Sequence, residues 1–131
     1  MKYMLAIYAN ETEWSELGDE GRRVMYEEYA AVSEELAGRG MMIDGAELRP
    51  TTAATTVRIR DGRTLVTDGP FAETKEQLGG FYIVDVPTLD EALEWAAKVP
   101  SARIGTIEVR PVAQMTMEAT AAAATAAEAA G

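Results

Sequence analysis

The chain has 131 residues, with 12 Lys+Arg against 22 Asp+Glu, a net charge of −10, and neither His nor Cys. That length suits one domain, and the missing residue types exclude Ser-His-Asp and Cys-His machinery, thiolate nucleophiles, disulfides and ordinary zinc sites. The acidic balance argues against direct nucleic-acid binding, which needs a basic face, while 47% hydrophobic and 26% charged residues leave enough apolar material for a core.

The opening run from Tyr3 to Tyr8 is apolar on both alternating faces, with Tyr3, Leu5 and Ile7 on one side and Met4, Ala6 and Tyr8 on the other. A strand of that kind is covered twice. Asn10 and Glu11 end the run well short of a signal peptide or a membrane span, so the expected location is cytoplasmic, with no membrane partner. From Asp19 to Arg39 the spacing of Met25, Tyr29, Val32 and Leu36 predicts a helix, with Asp19 as its cap and Gly40 just past its end. Met41-Met42-Ile43 begins a second strand, interrupted at Asp44-Gly45 by a bulge or bend.

The alternating runs 55–60 and 63–67 meet across Asp61-Gly62, which predicts a hairpin. Arg58 and Arg60 point away from Val57 and Ile59 in this reading. There the two arginines either keep the hairpin soluble or clamp an anion. Two glycines, Gly79 and Gly80, lead into a strand over 81–86 and permit close approach of another backbone or a ligand. Thr88 and Glu91 form a capping box for a helix that buries Leu89, Ala92, Leu93 and Ala96 and ends before Pro100. Thr106 to Arg110 alternates as the last strand. The domain is expected to span residues 1–112. Residues 113–131 hold ten Ala and form a flexible or frayed-helical tail.

With the hairpin set aside, the order is βαββαβ, an α+β, ferredoxin-like unit with both helices on one face of an antiparallel sheet. The doubly apolar first strand implies that a second copy covers the other face, as in a dimeric α+β barrel.

The run Thr67-Asp68-Gly69-Pro70-Phe71-Ala72-Glu73-Thr74-Lys75-Glu76 resembles the hallmark of the DGPF branch of the YCII-related (YciI-like) proteins. Lys2-Tyr3-Met4-Leu5, Asp90-Glu91-Ala92 and Glu108-Val109-Arg110-Pro111 fit the same family, so the resemblance covers residues 1–112. It implies a ferredoxin-like homodimer, and an association with extracytoplasmic-function sigma factors of bacteria. Relatives carry a His in the first helix, paired with an Asp, from which acid–base catalysis has been suggested. That position corresponds to Tyr29 here, so this chain departs from the dyad.

Asp68 has two readings: a general base or ligand acceptor, and an Asx-type turn beside Gly69-Pro70. Tyr29 is either a proton donor facing a cleft or part of the helix's core stripe. Asp44, beside Gly45, shares the ambiguity of Asp68. Phe71 reads as an aromatic anchor, and Glu73 and Lys75 as groups that either contact a ligand or form a solvated pair. Asp44, Asp68, Glu73 and Glu76 lack the spacing of a calcium loop, so no metal and no cofactor are expected. The expected function is a homodimer with a site for an unidentified small molecule between the first helix and the Asp68–Lys75 loop, in one version a cofactor-free acid–base enzyme. The alternative is a non-catalytic ligand- or protein-binding regulatory dimer associated with a sigma factor.

Overall fold

The first strand, β1 (Lys2–Ala9), lies in the interior of a four-stranded sheet and pairs antiparallel with two neighbours. These are β5 (Gln77–Asp85) and β6 (Thr106–Pro111); β2 (Met42–Glu47) pairs antiparallel with the far side of β5. The order β2-β5-β1-β6 is compatible with the ferredoxin-like arrangement, and the architecture is mixed α+β. The structure is a computed structural model that describes residues 1–113 and 117–130. Part of the expected tail, residues 114–116 and 131, lies outside the described residues; α4 (Met117–Ala130) is helical.

Alternation in β1 decides what faces what. Tyr3, Leu5 and Ile7 are buried together with Tyr82 and Val84 of β5, beneath Val32 and Leu36 of α2 (Gly18–Gly38) and Ala92, Trp95 and Ala96 of α3 (Leu89–Lys98). Helices α2 and α3 therefore cover the same face. On the reverse face Met4 lies opposite Ile83, and Ala6 opposite Phe81. Met4, Ile83 and Phe81 are half-buried there, with neither helix over them.

Helix α2 closes as expected. Gly40 has φ +69, and the N–H groups of Gly40 and Met41 donate to the carbonyls of Ala37 and Leu36, a Schellman-type end. Its start differs from expectation. A short helix, α1 (Glu11–Glu16), precedes it, capped by Asn10, whose side chain accepts from the Glu13 N–H. Leu17 then occupies the cap position of α2 without a side-chain bond, and Asp19 sits inside the first turn, paired with Arg22 at 2.6 Å. Because α1 runs almost directly into α2, no extended residue is left for Asp19 to be.

Thr88 does cap α3, accepting from the Glu91 N–H at 3.2 Å. The buried side of that helix is rotated from the one expected: Leu89 and Leu93 are exposed, and Trp95 is buried instead. Indole size explains the choice. One ring fills the space against the sheet while Lys98 and Arg39 lie over its face at 4.5 and 5.5 Å.

Between β2 and β5 the chain makes β3 (Thr55–Arg60) and β4 (Arg63–Asp68), a separate two-stranded sheet. Asp61 and Gly62 both have positive φ, 53° and 73°, as the tight primed turn requires. Val57 pairs with Val66, yet Val57, Ile59 and Val66 are each more than 60% exposed. The apolar side of this hairpin therefore meets no core, because β3 and β4 pair only with each other.

Candidate functional site

A cavity of about 370 Å³ opens between α1, the middle of α2 and the edge of the sheet where β2 meets β5. Its size is at the small end of ligand pockets, roughly 300–1,000 Å³. Two backbone features shape it. The β1–β5 register shifts between Ile7 and Tyr8, so Gly79 is the extra residue on β5. Gly80, opposite Glu47, has no room for a side chain: a Cβ would sit 2.7 Å from the Ala46 carbonyl oxygen. Of the glycine pair singled out in the sequence, Gly80 thus serves strand pairing.

The polar groups in the walls come in pairs. The Tyr26 hydroxyl donates to Glu47 Oε1 at 2.7 Å. Tyr29 and Ser101 share a hydroxyl–hydroxyl bond of 2.5 Å, and Ser33 and Tyr82 one of 2.8 Å. Glu11 accepts from both the N–H and the hydroxyl of Thr51, each at 2.8 Å, and so pins the segment after β2 to α1. Trp14 packs edge-on against Tyr26, ring centroids 5.6 Å apart.

The two helix tyrosines are held as neutral phenols. The hydrogen bond to Glu47, then burial, pushes the Tyr26 phenol up, because a neutral donor suits the neighbouring carboxylate better than a second anion. Burial raises Tyr29, against the opposing pull of Ser101. Both are therefore hydrogen-bond donors rather than bases at neutral pH.

For Tyr29 this has a thermodynamic consequence. The unfolded phenol ionises near its ordinary value of 10.0, while the folded one keeps its proton to higher pH. Stability from this group is thus present below about pH 10 and lost as pH rises toward the folded value. We expect Tyr29→Phe to flatten the alkaline limb of a stability–pH curve. At neutral pH the same variant should cost about 1–3 kcal/mol, because the buried Ser101 hydroxyl loses its partner. Urea titrations from pH 7 to 11 measure both effects.

The residues marked in the sequence fall in different places. Tyr29 lines the cavity. Gly69, Pro70 and Glu73 line an adjoining depression, which shares Asn10, Glu11 and Gln77 with the main one. Asp68 ends β4 and is exposed, lining neither. Its neighbour Gly69 ties the hairpin base, donating to the Ala54 carbonyl at 2.7 Å and accepting from the Thr56 hydroxyl at 2.6 Å. Phe71 is 79% exposed and anchors nothing in the chain itself. Lys75 is exposed, and its carbonyl accepts from the Asn10 side chain at 2.9 Å. Asp44 accepts from the N–H of Gly45 at 2.8 Å, and its carboxylate is outside the cavity.

Sequence reasoning missed Trp14, Tyr26, Glu47 and Arg49. The available signal was periodicity: Tyr26 lies three residues before Tyr29 on α2, and so on the same side of the helix. Nothing in the sequence pairs Tyr26 with Glu47, 21 residues on. Among the described residues, no group of three or more Asp or Glu side chains is placed to hold a metal ion, and no helix is long and apolar enough to cross a membrane.

Comparison with known proteins agrees along most of the chain. The family model for the YCII-related domain matches residues 1–116. Uncharacterized protein R00369 of Rhizobium meliloti (strain 1021) is 46% identical over 118 residues, which is 86% of this chain and 93% of that protein. The cavity, the sheet beneath it and the Asp68–Lys75 loop all fall inside the matched span, and the chain belongs to the YCII-related family.

Proposed function

We propose that the chain binds a small organic molecule in the cleft between α1, α2 and the β2–β5 edge, and that it acts as a homodimer. The observation that carries the ligand reading is a 370 Å³ cavity with mostly apolar walls in which three hydroxyl-bearing pairs converge. The dimer is supported by the half-buried side chains of Met4, Phe81 and Ile83 on the sheet face opposite α2 and α3.

The same groups suit cofactor-free acid–base work. Glu47 is the base in this reading, taking a proton from a bound O–H or activated C–H. Tyr29, held neutral, donates a hydrogen bond to the oxygen on which charge develops, while Tyr26 keeps its single hydroxyl proton on Glu47 and fixes that carboxylate in place. The loop that carries Asp68, Gly69, Pro70, Phe71, Glu73 and Lys75 borders the entrance through the adjoining depression.

Thermal-shift screening with small organic molecules should find ligands that raise Tm, since saturation at a hundredfold Kd adds about 2.7 kcal/mol. Leu48 lines the cavity from a partly exposed position. Leu48→Trp should fill the space and abolish the shift, whereas Phe71→Ser should leave it intact. A shift that survives Leu48→Trp, or a broad screen with no shift at all, overturns the ligand site. For the catalytic version, Glu47→Gln should lower turnover about 10²–10⁴-fold while binding persists.

The net charge of −10 favours a second reading, a regulatory dimer that holds a basic polypeptide such as a segment of a sigma factor. Its signature is retention of that polypeptide at low salt with no small-molecule shift.

A further inference from the structure

We infer that the β3–β4 hairpin is an assembly element: the outer edge of β4 pairs antiparallel with β4 of a second copy of this chain. The inference rests on the homodimer proposed above and adds to it a contact separate from the reverse face of the main sheet.

The hydrogen-bond phase of the hairpin decides which backbone groups are free. The Gly69 N–H donates to the Ala54 carbonyl, so these two residues bond across the hairpin. Bonded and non-bonded pairs alternate in an antiparallel ladder, which makes Thr56–Thr67, Arg58–Leu65 and Arg60–Arg63 bonded pairs too. The backbone groups of Thr64, Val66 and Asp68 therefore point away from β3, and those of Thr55, Val57 and Ile59 point away from β4. Each strand pairs only with the other, so both outer edges are open to another chain. Two strands alone are marginal in water. One face of this pair is also apolar and uncovered, with Val57, Ile59 and Val66 exposed by 61, 66 and 64%.

Charge selects the edge and its occupant. Strand β4 carries Arg63 at one end and Asp68 at the other. Antiparallel pairing with its own copy sets the cationic end of each strand beside the anionic end of the other. Strand β3 carries Arg58 and Arg60 with no acid, so the same pairing there would gather four guanidinium groups.

Symmetry then selects the register. A two-fold axis normal to the hairpin and centred on Val66 sets that residue opposite Val66 of the partner subunit, and engages all three outward-pointing residues of β4. Thr64 lies opposite Asp68 of the partner subunit, hydroxyl beside carboxylate, and Leu65 lies opposite the partner's Thr67. No like charges meet. Val57 and Val66 of both copies form one apolar row across four strands. So short a ladder is too weak to hold two chains by itself, and it reinforces the reverse-face contact rather than replacing it.

The chain has no Cys, which allows a clean cross-linking test on the full-length protein. Val66→Cys and Ile59→Cys place thiols at two almost equally exposed positions on the same face. In the inferred register the two Cα atoms at position 66 are about 5.5 Å apart, within reach of a disulfide. Those at position 59 are three strand spacings apart, about 14 Å or more. We expect Val66→Cys to cross-link under mild oxidation at least tenfold faster than Ile59→Cys. In the unmodified dimer the amides of Thr64, Val66 and Asp68 should exchange with solvent at least tenfold more slowly than those of Val57 and Ile59. Equal cross-linking of the two variants overturns edge pairing in favour of stacked faces. Protection at Val57 and Ile59 instead of β4 overturns the choice of edge. A dimer mass with neither edge protected removes the hairpin contact and leaves the homodimer standing. A single-chain mass removes both.

Discussion

Gly105→Ala is expected to destabilise the chain by about 3 kcal/mol, the top of the usual range for an added methyl in a packed site. A Cβ on Gly105 would lie 2.1 Å from the carbonyl oxygen of Tyr8 and 3.0 Å from the Cα of Ala9. Both are backbone atoms of β1, which is paired on both sides and cannot yield without breaking a ladder. The matched control is Gly79→Ala, where the added Cβ would come no closer than 3.9 Å, to the Ile7 carbonyl oxygen, an ordinary contact. Urea unfolding should separate the two variants clearly. Equal, small losses for both would show that β1 and the turn before β6 are not held as closely as described.

The second large effect is on assembly. In the proposed homodimer the reverse face of the sheet is the contact, so Ile83→Arg puts a charge where Met4 of β1 and Asp44 of β2 flank it. Burying a guanidinium in that apolar contact, with only the exposed Asp44 beside it, should cost about 3 kcal/mol or more, roughly a hundredfold in the dissociation constant. Light scattering at micromolar concentration should give twice the 14.1 kDa chain mass for the unmodified protein and the single mass for Ile83→Arg. Leu93→Arg, on the exposed side of α3, should leave the dimer unchanged. A single-chain mass for the unmodified protein sinks the homodimer without touching the cleft, whose walls come from one chain.

These two cases show where the sequence was informative. The succession of strands, hairpin and two main helices along the chain followed from alternation and helical spacing, from the Asp61-Gly62 turn and from Thr88, all local signals with a physical cause. Glycine roles were less legible, because a missing Cβ matters only against whatever lies opposite. Gly79-Gly80 stood out as a pair, yet Gly105, alone in its turn, has the tightest surroundings. Helix α1 was invisible for a related reason: six residues with none buried leave no apolar stripe to read.

The candidate site was half legible. Tyr29 stood in the helical stripe that predicted α2, and it lines the cavity. Its partners are a serine 72 residues on, in a short 3₁₀ turn, and a carboxylate–phenol pair that joins α2 to the end of β2. Such contacts depend on where separate elements come to rest, which periodicity within one element does not encode. The Asp68-Gly69-Pro70-Phe71 run has the opposite character. It is conspicuous as sequence, yet apart from the pairing of Asp68 with Thr55 its ties to the chain run through Gly69, at the foot of the hairpin.

That knot at the foot has an evolutionary consequence. The excursion from Thr55 to Asp68 leaves and re-enters the domain at adjacent points, closed by the bond between Gly69 and Ala54. Its length is thereby decoupled from the register of the strands on either side. Descendants can extend, trim or swap this arm, or graft a tag onto its tip, without retuning the framework that holds the cleft.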